Sequence, residues 1–334
     1  MAEITPRKLA AESAVRLVYL SSAVEGKDRR DYDGAVAYLR SAFRRVDVFD
    51  VVREAGDPWY LSASPEQRLR RLREAIPGAD WICPAYGGTG CADVVRRLGD
   101  ADLKAWASRR PVVTGFSDSV FLINYLYFAA GLRTFHAMNG AGLSPDGATR
   151  TLFAVLRGER DRLAYRETDS RWITPPPVRP IEGTAIGGNL TTFRDLVDIA
   201  EACPEDWSPY VLFLEDLDVD AEDVHRMLVS LEAHGVFAGI RGLVVGRMDT
   251  PRCGRAWRRL KAAFGGPDDD PRIFLSYVLK DALAERERRG DPLPILRIER
   301  FGHEVAGGPM IVPIGARTVI AEDRTIEFVG PFVA

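Results

Sequence analysis

The first half of the chain alternates short β-rich runs with amphipathic stretches, and this alternation restricts the fold more than any other feature. Val15–Leu20 is β-rich, Tyr32–Arg45 has apolar residues at helical spacing, Val46–Phe49 reads as a strand and Pro65–Ala75 as a helix. Trp81–Pro84 is a short apolar strand, followed by Gly87-Gly88-Thr89-Gly90 and a helical stretch over Cys91–Leu98. The strand Pro111–Gly115 and the helix Ser117–Ala130 repeat the pair. Strands and helices in turn build a mostly parallel sheet with helices on its faces, an α/β architecture. Such sheets take ligands at the carboxyl ends of their strands, where both the glycine loop and Ser117 fall.

Glu167–Gly183 breaks this pattern. Pro175-Pro176-Pro177 and Pro180 oppose regular helix and most sheet pairing. We read residues 1–166 as an N-terminal α/β domain, 167–183 as a proline-rich linker and 184–334 as a β-rich C-terminal domain. The second half has strands near Tyr210–Leu214, Gly242–Val245, Ile295–Ile298, Arg317–Ile320 and Thr325–Val329, with helices over Ala221–Ala233 and Arg272–Glu287.

With 334 residues, 46% hydrophobic and 28% charged, the chain has the composition of a soluble globular protein with room for two cores. A formal net charge of -3 gives no electrostatic reason to expect nucleic acid. The N-terminus lacks the layout of a signal peptide, and no apolar run reaches the ~20 residues that span a bilayer. A cytoplasmic location without membrane insertion is therefore expected. Cys83, Cys91, Cys203 and Cys253 form no CxxC pair, and His136, His225, His234 and His303 are scattered. That spacing points to neither a zinc site nor a disulfide framework, and no metal or other cofactor is expected.

Three patches carry chemistry: Gly115-Phe116-Ser117-Asp118, Leu212-Phe213-Leu214-Glu215-Asp216 and Phe301-Gly302-His303. Each follows a strand-like run and offers one Ser, one Glu or one His where it ends. A serine hydroxyl needs an imidazole as base, and the imidazole needs an acceptor that fixes its tautomer. Each residue also has a plain structural reading. Ser117 fits an ordinary N-cap, the glycine loop fits a tight turn, His303 taken alone fits a structural histidine, and Asp216 competes with Glu215 for either role. Cys91, after the glycine loop, fits a helix-start thiolate of a thiol enzyme, although the sequence offers it no partner.

Taken together, the motifs resemble the serine peptidase family of LD-carboxypeptidases and microcin-immunity peptidases. YGGTG is similar to that family's glycine loop, GFSD to its nucleophile turn, and TFHAMNG and AIGGNLTTF to its following segments. VLFLEDLDVDAEDVHRML, GLVVGRM, FGH and VPIGARTVI follow in the family's order. The resemblance implies Ser117 as nucleophile, His303 as general base and then acid, and Glu215 as the group orienting the imidazole. It also implies an oxyanion hole from the N–H groups of Gly88 and Asp118, a site between two domains, a homodimer, no cofactor, and a muropeptide substrate of peptidoglycan recycling.

Some residues depart from the family pattern. After the glycine loop, Asp93 stands where carboxypeptidases of the family often carry an Arg. Facing the cleft, it would repel a substrate carboxylate that an Arg would bind. Trp172 lies where the microcin-immunity branch carries a Trp against its nucleotide-like substrate. Gly87, Thr89, Asp93 and Trp172 are thus the substrate-side candidates. The alternatives are an amidase acting on peptidyl or aminoacyl nucleotide conjugates, and a small-ligand-binding protein without hydrolysis.

Overall fold

A computed structural model describes residues 3–219, 221–249, 278–303, 305 and 308–334. Five short strands, β1 (Ala14–Val18), β2 (Arg45–Phe49), β3 (Trp81–Pro84), β4 (Val112–Gly115) and β5 (Thr134–His136), pair in parallel in the order β5-β4-β3-β1-β2. Every residue of β3, β4 and β5 is buried, as expected of parallel strands covered by helices on both faces. The covering helices include α1 (Gly26–Ala42), α2 (Pro65–Ala75), α3 (Cys91–Val95), α4 (Asp100–Arg109) and α5 (Val120–Ala130). Ser64 starts α2 by accepting from Gln67 N at 3.3 Å, with Pro65 in the first turn, where its missing N–H costs nothing.

The second sheet is mixed. Its strands are β6 (Arg162–Tyr165), β7 (Arg171–Trp172), β8 (Ile181–Asn189), β9 (Tyr210–Leu217), β10 (Gly242–Asp249), β11 (Ile295–Arg297), β13 (Arg317–Ile320) and β14 (Ile326–Val329), in the order β6-β14-β13-β8-β9-β10-β11-β7. β8 to β11 run parallel, and the flanking strands are antiparallel. β12 (Val312–Ile314), from the far end of the chain, instead joins the first sheet, antiparallel to β5. The α/β class expected from the alternating pattern is the class observed, with a separate second sheet drawn mostly from the C-terminal half and edged by β6 from within residues 1–166.

α5 packs between the two sheets and is apolar nearly all round, with Phe121, Leu122, Ile123 and Leu126 fully buried. Its buried Asn124 reaches β8, accepting from Gly187 N and donating to Gly187 O, both at 2.9 Å. A buried amide with both its donor and its acceptor satisfied adds order without a desolvation penalty. In the proline-rich stretch, Arg171 and Trp172 pair with β11 and Ile181 opens β8. The helix expected over Arg272–Glu287 is seen over Lys280–Arg288. Residues 272–277 and Cys253 lie outside the described residues. Among the described residues, no helix is long and apolar enough to cross a membrane.

Candidate active site

The carboxyl ends of β3, β4 and β9 face one cavity of about 610 Å³ between the two sheets. Tyr86, Gly87, Gly88, Phe116 and Ser117 line it from the first half, and Leu217, Asp218, Gly302 and His303 from the second. Ser117 lies just past the end of β4. Its φ of +58° is in the left-handed region that a residue with a Cβ seldom occupies. A three-residue turn, Ser117–Ser119, then leads into α5, so the helix expected over Ser117–Ala130 starts at Val120. An ordinary N-cap has extended backbone and lends its side-chain oxygen to the helix. Ser117 has neither the dihedral nor a capping bond.

The glycine loop presses against this turn. A Cβ on Gly87 would lie 3.0 Å from Ser117 Cβ and 3.2 Å from its Oγ, so only glycine lets the two backbones come this close. The loop is fixed on several sides. Ser22 N donates to Gly87 O at 3.1 Å, and Thr89 N donates to Ser22 Oγ at 3.2 Å. Cys91 N donates to Asp118 Oδ2 at 2.8 Å. The fully buried Arg68 donates to Gly90 O at 2.8 Å, to Ala63 O at 3.0 Å and to Leu20 O. Burial pushes the Asp118 carboxyl up to about 6.

From the second sheet comes Glu215, near the end of β9 and fully buried. Its Oε2 lies 2.8 Å from His303 Nδ1, and its Oε1 has no hydrogen-bond partner. Burial lifts this carboxyl above its ordinary range, while the bond and charge of His303 pull it back. Gly302, at φ +134°, brings His303 to that carboxylate, because a Cβ there would lie 3.2 Å from Glu215 Oε2. The neighbouring Asp216 is spent otherwise. It accepts from Asn189 Nδ2 at 2.7 Å, Thr191 N at 2.9 Å, Thr191 Oγ1 at 2.7 Å and Leu217 N at 2.8 Å. Between the two carboxylates that the sequence left open, Asp216 caps the turn and Glu215 meets the imidazole.

Aromatic rings pack around the imidazole. The Phe116 ring lies 4.4 Å from the His303 ring, centroid to centroid, and 5.2 Å from that of His136. His136 is fully buried, and neither of its ring nitrogens has a hydrogen-bond partner. Burial, with the nearby charge of His303, lowers it to about 3. It therefore stays neutral and adds no positive charge beside His303.

The structure thus brings Ser117, His303, Gly87 and Gly88 to one cavity and pairs Glu215 with His303. Thr89, Asp93 and Trp172 are not among its lining residues. Asp93 sits in the first turn of α3, 3.7 Å from Arg68 Nη2, and the Trp172 indole donates to Glu322 O at 2.9 Å. Cys91 is no thiolate, since full burial pushes its thiol well above the ordinary range. Among the described residues, no group of three or more His, Cys, Asp or Glu could hold a metal ion.

Sequence reasoning missed four carboxylates. Asp28, Asp31, Asp146 and Asp218 line the cavity, and no Lys or Arg does so among the described residues. Asp28 accepts from Tyr86 Oη at 2.9 Å, and Asp146 caps the helix Gly147–Leu156 through Thr149 N at 2.8 Å. Asp218 lies inside the segment VLFLEDLDVDAEDVHRML but nothing there singles it out, and no motif marks the other three. The four converge only because α1, the turn before that helix and the end of β9 open onto the same space.

Comparison with known proteins agrees with this architecture. Residues 15–137 match the family model of the LD-carboxypeptidase N-terminal domain, and residues 182–320 that of its C-terminal domain. A probable murein peptide carboxypeptidase of Bacillus subtilis is 24% identical over 301 residues, covering 88% of this chain and 85% of that protein. A microcin C7 self-immunity protein solved in complex with aspartyl sulfamoyl adenosine superposes with a TM-score of 0.77 at 19% identity, over 99% of this chain and 100% of that one. A muramoyltetrapeptide carboxypeptidase from Oxalobacter formigenes gives a TM-score of 0.71 at 19% identity, over 94% and 99%. At such identities the two structural likenesses speak for the fold.

Proposed function

The chain belongs to the LD-carboxypeptidase family of serine peptidases, and from that premise we propose that Ser117, His303 and Glu215 hydrolyse an amide bond of a small peptide, with a muropeptide as first candidate. The observation that carries this reading is the 2.8 Å contact between His303 Nδ1 and Glu215 Oε2, on a histidine that shares a cavity with Ser117. A carboxylate at Nδ1 holds the tautomer in which Nε2 accepts a proton. Proton transfer with the serine is then assigned to Nε2.

In the proposed sequence, Nε2 takes the Ser117 proton as Oγ attacks the amide carbonyl. The oxygen of the tetrahedral intermediate takes up negative charge at the N–H groups of Gly88 and Asp118. Such preoriented donors are worth roughly 10²–10³ in rate each. His303 then protonates the departing amine, leaving an acyl-enzyme on Ser117. Water, deprotonated by the same imidazole, releases the acid. Glu215 stays ionised beside the imidazolium, whose charge compensates its burial while it lasts.

A second reading, an amidase acting on aminoacyl or peptidyl nucleotide conjugates, is favoured by the acidic wall of Asp28, Asp31, Asp146 and Asp218. A wall of this sign suits a substrate carrying an ammonium group better than one presenting only carboxylates. The deciding experiment is a hydrolysis screen by mass spectrometry with wild type and Ser117→Ala. It compares an LD-tetrapeptide muropeptide with aminoacyl and peptidyl sulfamoyl adenosines. Cleavage of neither class favours a small-ligand-binding protein, and equal cleavage by both proteins refutes Ser117 as the nucleophile. Homodimer formation and a cytoplasmic setting belong to the same proposal, and sedimentation analysis tests the dimer.

A further inference from the structure

Asn139 grips the main chain of Phe116 on both sides. Its Oδ1 accepts from Phe116 N at 3.0 Å, and its Nδ2 donates to Phe116 O at 2.9 Å. An amide paired in this way with the N–H and C=O of one residue holds that residue extended, as a neighbouring strand would. Phe116 is indeed extended, at φ -147° and ψ 151°. The next residue is Ser117 in its left-handed conformation, a high-energy backbone state that persists only where its surroundings enforce it. On one side of Ser117 the chain is committed to α5, and on the other the restraint comes from Asn139.

Asn139 is also tied to the glycine loop. It is 7% exposed and lines the cavity. Two residues on, Ala141 N donates to Ala85 O at 2.9 Å, at the strand end that leads into Gly87. A Cβ on Gly87 would lie 3.6 Å from Asn139 Nδ2. The segment that carries Asn139 is therefore held both to the serine turn, through its side chain, and to the strand end that leads into the glycine loop, through its backbone.

We propose that Asn139 is a positioning residue that fixes the Phe116–Ser117 backbone and so aims the Ser117 hydroxyl at its substrate. This rests on Ser117 being the nucleophile. Asn139 touches no reacting atom in this role. It acts through the backbone of Phe116, and its loss lowers the reactivity of Ser117 while leaving the protein folded.

The test is the rate at which a fluorophosphonate probe labels Ser117 in the full-length protein, measured from pH 5 to pH 8. Asn139→Asp keeps the volume and the acceptor for Phe116 N but sets a carboxylate oxygen against Phe116 O. Labelling at pH 8 is expected to slow by at least about tenfold, since small misplacements of a reacting group cost on the order of 10–100-fold. The ratio of variant to wild-type rate should then rise as the pH falls, because a protonated Asp restores the donor. A packing defect alone gives a ratio independent of pH. A rate within twofold of wild type at pH 8, or a flat ratio, overturns the proposal. Asn139→Ala deletes both bonds without adding charge and serves if the Asp variant does not fold. Slowed labelling with a wild-type circular dichroism spectrum supports the role, and an unchanged rate refutes it. Absence of labelling in the wild type, or equal labelling of Ser117→Ala, refutes the nucleophile assignment instead, so the two failures are distinguishable.

Discussion

His303 Nδ1 and Glu215 Oε2 lie 2.8 Å apart, although 87 residues of chain stand between the two side chains. β9 delivers the carboxylate, and the loop beyond β11 delivers the imidazole. Gly302 lets that loop pass close enough for them to touch.

Glu215→Gln keeps the shape of this contact and removes its charge. An amide can donate to Nδ1 and so favour the tautomer that cannot take the serine proton. Turnover is expected to fall by on the order of 10³-fold or more, with KM changed by less than about threefold. Steady-state kinetics on the substrate found in the screen checks this. A loss confined to KM would assign Glu215 to binding.

Ser117, the proposed nucleophile, sits in an unfavourable backbone conformation. Ser117→Ala should fold as wild type does and lose turnover by several orders of magnitude. Ser117→Gly should lose it too and gain stability of roughly 1 kcal/mol, because glycine occupies a positive φ without strain. Thermal melts of the three proteins test this. A glycine variant less stable than the alanine variant would contradict it.

Asp118 makes stability depend on pH. Burial holds its carboxyl at about 6 in the folded protein against an ordinary value of 3.8, so the folded state binds the proton more tightly. Its contribution is therefore most favourable at low pH and is lost as pH rises between those two values. Asp118→Asn carries no such dependence. Its stability relative to wild type should increase from pH 4 to pH 7 by at most about 3 kcal/mol. Chemical denaturation at both pH values measures the difference, and a relative stability that falls over this range would refute the account.

Asp93→Arg distinguishes position in the sequence from position in space. The glycine-loop alignment sets Asp93 where an Arg would help to bind a substrate carboxylate. In the fold its partner is the buried Arg68, 3.7 Å away. The substitution would set two guanidinium groups together beside a main-chain clamp. The expected outcome is a destabilisation of about 1–3 kcal/mol, with no improved turnover of an LD-tetrapeptide. Faster tetrapeptide cleavage by a stably folded variant would return Asp93 to the substrate side.

The parallel sheet and the three chemical patches were legible because each is written locally. A strand such as Trp81–Pro84 declares itself by consecutive apolar residues, and the glycine loop and Phe-Ser-Asp turn sit directly beyond their strands. The second sheet was read only in part. β7 has two residues, and β6 is a partly exposed stretch without the consecutive apolar residues of β3. In the first sheet, β12 went unread because a proline stands at its centre. Asn139 lay inside a segment already singled out, yet nothing in TFHAMNG says that its amide turns back to Phe116. The acidic wall was hidden for a similar reason, since Asp28 and Asp218 share the cavity only after both sheets have closed around it.

The placement of Val312–Ile314 beside β5 bears on how the protein is made. During synthesis, the first five strands leave the ribosome long before the strand that seals their open side. Until then the nascent N-terminal half presents an unpaired edge at Thr134–His136, the kind of surface on which chains associate wrongly. A fragment ending at the proline-rich stretch would keep that edge permanently. The two halves of this enzyme are therefore a poor pair of separable modules: the last tenth of the polypeptide completes the part that was translated first.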